Sequence, residues 1–210
     1  MGAAGRVVTG FSYPVVGRYN NTGGAVSYSG GMVLARGVSV SLDLEVSDDN
    51  NFYADNVVSE TDGGRFTGGT AKLTVDGLNP EADRFVHGKG EPVEVSYGES
   101  QKVEVTQDST AAAAPYLGIG YIVRYRSGGQ DIFVPTILTK AKFAVHGGEA
   151  ATQEENIEWQ TSELSASLAR DDSTAASWRW ICEDQTTEAA AKAILNGILN
   201  VSTTTPGGGG

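Results

Sequence analysis

A single cysteine, Cys182, stands in the 210 residues, so the chain can form no internal disulfide and no thiolate zinc cluster. Histidine is almost as scarce. His87 and His146 are the only two, and neither has a second ligand at helical or loop spacing. Basic residues are few as well: 15 Lys and Arg against 26 Asp and Glu leave a formal charge of −11, the opposite of what a phosphate-gripping surface needs. No apolar run could cross a bilayer, since the longest, residues 111–123, is interrupted by Pro115, Gly118 and Gly120. The first residues, MGAAGRVVTGFSY, show no basic stretch leading into an apolar one, and Arg6 stands where myristoylation requires Ser or Thr. The expectation is a protein made and kept in a reducing compartment. Prolines number six and follow no collagen period, whereas 28 glycines, about twice ordinary usage, point to turns and bulges between short strands.

What is present is period-two alternation. Val38, Val40, Leu42, Leu44 and Val46 alternate with Ser39, Ser41, Asp43, Glu45 and Ser47, which predicts a strand with one dry face and one wet, acidic face. Shorter runs follow at Ala71/Leu73/Val75, Val93/Val95/Tyr97 and Val103/Val105. The run Leu117/Ile119/Tyr121/Val123/Tyr125, the turn Ser127-Gly128-Gly129-Gln130 and a second strand from Ile132 to about Val145 predict a long hairpin. Leu164/Ala166/Leu168 and residues 178–183 supply two last strands.

Two helices are expected. Asn79 can cap a short one that has Pro80 in its first turn and ends by Gly88. Thr187 can cap a second over residues 187–200, where Ala191, Ile194, Leu195, Ile198 and Leu199 form one apolar stripe. Residues 201–210, ending in four glycines, read as a flexible tail. Between 48 and 69 the alternation stops, yet this polar stretch carries Phe52, Tyr53 and Phe66, so it reads as a docking loop. Residues 1–200 are therefore expected to form one all-β sandwich or barrel with a helix packed on it.

Chemistry is hard to find. Gly118-Ile119-Gly120 begins like a dinucleotide fingerprint but lacks the third glycine and sits inside a strand pattern, where glycines serve close packing. The acidic pairs Asp48-Asp49, Glu154-Glu155 and Asp171-Asp172 lack the alternating oxygens of a calcium loop. Trp178 and Trp180, two residues apart, are expected to share one sheet face, either as core or as a platform for a sugar or base. No nucleophile, base and orienting group can be assembled, so neither an enzyme nor a cofactor is expected.

Beyond composition, the order of segments resembles the phi13-type major tail proteins of long-tailed phages, the subunits of the tail tube. Phe52-Tyr53-Ala54-Asp55-Asn56 is similar to that family's LYADD-like stretch, and Ala114-Pro115-Tyr116-Leu117-Gly118-Ile119-Gly120-Tyr121 to its APYVGxGY segment. Lys140-Ala141-Lys142-Phe143 resembles KVxF, and residues 152–161 resemble TKGENIEFQT, with Gln153 and Glu154 in place of Lys-Gly. A tryptophan strand and an alanine- and leucine-rich closing helix follow in the same order. The likeness covers roughly residues 30–200.

The resemblance implies a virion structural protein, made in the host cytoplasm, whose hexameric rings stack into the tail tube that conducts DNA into the host. It implies self-association and contacts with tape measure, tail terminator and distal tail or baseplate proteins. Double-stranded DNA would pass through the lumen unbound, and no membrane would be involved. Phe52, Tyr53, Asp55 and Phe66 become candidates for contact between subunits. Asp43 and Glu45, on the wet face of the strand at 38–46, become lumen candidates, with outer solvent as the alternative. An acidic wall suits a conduit because it repels the phosphates sliding past it. The competing readings are the inner tube of a contractile tail or injection system and a carbohydrate-binding or adhesin β-sandwich.

Overall fold

The computed structural model describes residues 5–48, 50–54, 57–110, 112–145, 147 and 161–202; for residues 50–54 and 57–62 it describes the backbone only. The expectation for His146, most of 152–161 and the glycine tail from 203 onward lies outside these residues. The strands are β1 (Val7–Thr22), β2 (Ala25–Val33), β3 (Gly37–Val46), β4 (Asn50–Ala54), β5 (Val57–Asp62), β6 (Phe66–Val75), β7 (Val93–Tyr97), β8 (Gln101–Val105), β9 (Leu117–Ser127), β10 (Gln130–Phe143), β11 (Ser162–Ala169) and β12 (Arg179–Ile181). The helices are α1 (Pro80–His87) and α2 (Glu188–Leu199). The protein is thus all-β with helices added, as its alternation requires.

One antiparallel sheet organises the body in the order β2-β1-β9-β10-β11-β6-β3, with β12 beside β10. The long β10 makes this possible. Its residues 130–138 ladder with β9, while on the opposite edge 136–138 pair with β12 and 140–143 with β11. The sheet curls until its far end approaches β1. There a Cβ on Gly37 would stand 2.2 Å from the Phe11 ring, but no ladder joins β1 and β3. Among the described strands the barrel is left open between them.

Inside the curl lies the main core, including Val16, Leu73, Leu117, Ile119, Tyr121, Leu138, Phe143 and Leu164, with Ala82 and Val86 of α1. Burial pushes the Tyr121 hydroxyl up to about 12, against the opposing charge of Arg179. A second cluster forms on the other face, where Ala191, Leu195 and Leu199 of α2 cover Val15, Tyr28, Ile122 and Ile137. Gly118 and Gly120 lie under this helix. Any Cβ there would meet the Tyr28 ring at 2.4 Å and Leu199 Cδ1 at 2.6 Å respectively, so these glycines serve close packing.

The helix ends are set by the expected residues. Asn79 accepts from the Ala82 amide at 2.7 Å and Gly88 closes α1 in the left-handed region; Thr187 accepts from the Ala190 amide at 3.2 Å and Asn200 closes α2. Just after α2, Val201 bridges Gly31.

A polar lock holds α1. Asp83 Oδ2 accepts from Lys89 Nζ at 2.7 Å, and His87 Nδ1 lies 2.8 Å from Asp83 Oδ1 with Nε2 3.1 Å from Ala144 O. Partial burial pulls the Asp83 carboxyl upward, but the hydrogen bonds and charges of Lys89 and His87 outweigh it and hold the group below its ordinary value. A lowered folded value means stability that is complete above about pH 4, the unfolded value, and is lost as pH falls through the folded one. Thermal midpoints measured from pH 5 to 2 should therefore fall less steeply for Asp83→Asn than for the native chain. Parallel curves would remove this role.

Candidate assembly surfaces

The stretch between β3 and β6 departs from the expected loop. The β3–β6 ladder closes at Val46 opposite Phe66, Ser47 N donates to Arg65 O, and the backbone continues into the β4–β5 hairpin, with Asn50 opposite Asp62. Residues 50–54 and 57–62 thus form a two-stranded ribbon, with β6 following from Phe66. The alternation was hidden because a register shift falls between Phe52 and Tyr53 and polar residues fill both strands. Phe52 and Tyr53 both lie on β4 of this ribbon, whereas Asp55 lies outside the described residues.

Phe66 has a different setting. As the first residue of β6 it is half-buried against the main core, its ring stacked on Trp178 with centroids 4.8 Å apart. It anchors the foot of the ribbon to its own subunit. Stacking offers an aromatic pair more than a solvated position would, so the ring stays inside.

The tryptophans are corrected by the same geometry. Trp178 precedes β12 and stacks on Phe66, while Trp180 lies opposite Ile137 in β10 and meets Tyr28 edge-on at 6.1 Å in the α2 cluster. The two rings belong to different cores and form no shared platform. Cys182 is half-buried, and burial raises its thiol.

Asp43 and Glu45 are exposed on β3, opposite Thr70 and Gly68. The face they share is not uniformly acidic. Lys72 stands opposite Ser41, Glu163 of β11 opposite Thr74, and Lys140 and Lys142 of β10 opposite Ala169 and Ser167. Lys140 is further engaged, donating to Asp172 at 2.7 Å and lying over the Tyr19 and Tyr116 rings. The hydrogen bonds from Lys140 and Tyr19 hold the Asp172 carboxyl low. The charges of this wall are therefore interleaved in sign. The expected acidic face exists only along β3 itself, because the sequence pattern of one strand says nothing of its neighbours.

The dry side of β3 is also incomplete. Val40 and Leu42 pack against the core, but Val38, Leu44 and Val46 remain 54%, 41% and 63% exposed. As the terminal strand of the sheet, β3 combines apolar side chains with a backbone edge that no described strand pairs. The β7–β8 hairpin is a second such surface, which alternation alone could not reveal: the pattern shows which side is dry but not whether anything covers it.

Among the described residues no group of three or more His, Cys, Asp or Glu could hold a metal ion, and no helix is long and apolar enough to cross a membrane. No family model matches the chain, and no curated protein matches it.

Proposed function

We propose that the chain is a structural subunit that associates with copies of itself through strand edges, forming rings that stack into a phage tail tube. The observation that carries this reading is the open curled sheet, whose terminal strand β3 has an edge that no described strand pairs and is followed by the β4–β5 ribbon. An exposed edge with apolar flanks is a hazard in a monomer and an asset in a polymer, where a neighbour continues the sheet. A contact between two different surfaces of one chain closes into rings when the rotation permits. The tail-tube assignment itself comes from the sequence resemblance, including hexameric rings, passage of double-stranded DNA, and the tape measure, terminator and distal tail partners.

In this reading the ribbon, with Phe52 and Tyr53, reaches the next subunit or ring, and the wall bearing Asp43 and Glu45 is the candidate lumen surface. Interleaved lysines and carboxylates would give DNA no continuous basic track to adhere to, so the conduit does not require a uniformly acidic wall. The separated tryptophans remove the sugar platform on which the adhesin alternative relied. Negative-stain electron microscopy with light scattering over a range of concentrations tests the proposal. Regular rings or tubes are expected. A particle of monomer mass up to about 1 mM, a concentration at which even weak contacts near −4 kcal/mol are half occupied, would overturn self-assembly by this chain alone.

A further inference from the structure

The β7–β8 hairpin is built as five matched pairs, from Val93 opposite Val105 to Tyr97 opposite Gln101. Pairing places Val93, Val95, Tyr97, Val103 and Val105 on one face and Glu94, Ser96, Lys102 and Glu104 on the other. Among the described residues the apolar face is left largely open: Val93, Val95, Tyr97 and Val103 are 40%, 42%, 53% and 47% exposed. A lone two-stranded hairpin is at best marginal in water, and burial of its apolar face would stabilise this one. Its segment is also acidic, since Glu91, Glu94, Glu99, Glu104 and Asp108 face only Lys102 between residues 91 and 108.

A surface of complementary character lies elsewhere on the same chain. β1 pairs with β2 only from Val15 onward, and Phe11 is taken up against Gly37, which leaves Val7 to Gly10 with one edge that no described strand pairs. Val7 and Val8 are 67% and 59% exposed. Their ladder partner β9 carries Arg124 and Arg126, and Arg6 precedes them; Asp184 pairs with Arg6, Asp131 with Arg124 and Arg126, and Glu188, bridged to Lys192, also faces Arg124, leaving four cations to three carboxylates.

We infer that the β7–β8 hairpin of one copy adds by its edge to the start of β1 of a second copy, its apolar face continuing the side that bears Val8 and Tyr125 and its acidic face continuing the side that bears Val7 and Arg126. Strand addition would satisfy the open edge, and opposite charge would select the register and the partner. The contact joins two different surfaces, so each copy gives one hairpin and receives another. The inference rests on the self-assembly reading but not on the tube.

Heterologous contact has a distinctive test. The hairpin is blocked in one variant, Val95→Lys with Val103→Lys, and the receiving edge in another, Val8→Lys. All three positions are exposed, so circular dichroism and thermal midpoint should remain those of the native chain. Sedimentation velocity is then run on each variant and on the equimolar mixture. The expected result is that each variant alone loses association at least tenfold, while the mixture forms a one-to-one dimer through the intact hairpin of one and the intact edge of the other. Native chain that assembles while both variants assemble unchanged would overturn this contact and leave the self-assembly reading standing. Variants that do not associate and yield no dimer on mixing would overturn the pairing of these two surfaces. Native chain that stays monomeric would overturn both readings, and dimers without tubes would support the contact while removing the tube.

Discussion

The double variant Phe52→Ser/Tyr53→Ser is expected to fold as the native chain does and to form no tubes. The fold should survive because both core clusters are assembled by the curled sheet and its helices, with Phe66 and Trp178 locking the foot of the ribbon below the substituted positions. The β4–β5 backbone pairing does not depend on aromatic identity, and serine is compatible with an edge ribbon. Assembly should fail because large aromatic anchors carry a disproportionate share of interface energy. Two truncations at about 2 kcal/mol each lower an association constant roughly a thousandfold. The check is electron microscopy beside the native chain, with circular dichroism and thermal melts to show intact subunits. Tubes of unchanged length and number from a folded variant would remove the ribbon from the assembly contact.

The parts of the fold legible in the sequence are those where a single local rule acts. Asn79, Pro80 and Gly88 bound α1, Thr187 and Asn200 bound α2, and the Ser127–Gln130 turn joins β9 to β10 with Gly128 and Gly129 both at positive φ. The longest strand was the least visible. β1 carries Gly10, Pro14 and Gly17, shifts register between Val8 and Gly10 and again between Ser12 and Val15, and holds Tyr13 at φ 56°. Each bulge resets which parity faces the core, so no run of alternation survives long enough to be read. The β4–β5 ribbon is obscured for a similar reason.

The candidate surfaces were less legible still. Phe52, Phe66 and Trp178 are chemically similar residues in short polar contexts, and only the three-dimensional path shows that Phe66 and Trp178 satisfy one another. The exposure of Asp43 and Glu45 is legible in the alternation, yet their electrostatic setting depends on Lys72, Lys140 and Lys142, brought alongside by strands farther along the sequence. Charge of a wall is a property of the sheet order, which alternation does not encode.

The seat of α2 gives the largest expected effect on stability. Leu199 is fully buried between Tyr28 and the β9 backbone, so Leu199→Ala should cost about 2–5 kcal/mol through lost burial and the cavity left behind. Gly120→Ala should cost about 1–3 kcal/mol for the opposite reason, since the added carbon would stand 2.6 Å from Leu199 Cδ1 and 2.9 Å from Val15 Cγ2. These two changes act on the same space. In Leu199→Ala the δ carbon that obstructs the new methyl is gone, and the methyl in turn occupies part of the void. The double variant is therefore expected to be more stable than the sum of the single losses predicts, by about 1–2 kcal/mol of coupling. Urea unfolding of the four chains, with comparable slopes, measures this cycle. Strict additivity would mean that Leu199 does not rest on Gly120, and that the two glycines of β9 have some purpose other than bringing the closing helix onto the sheet.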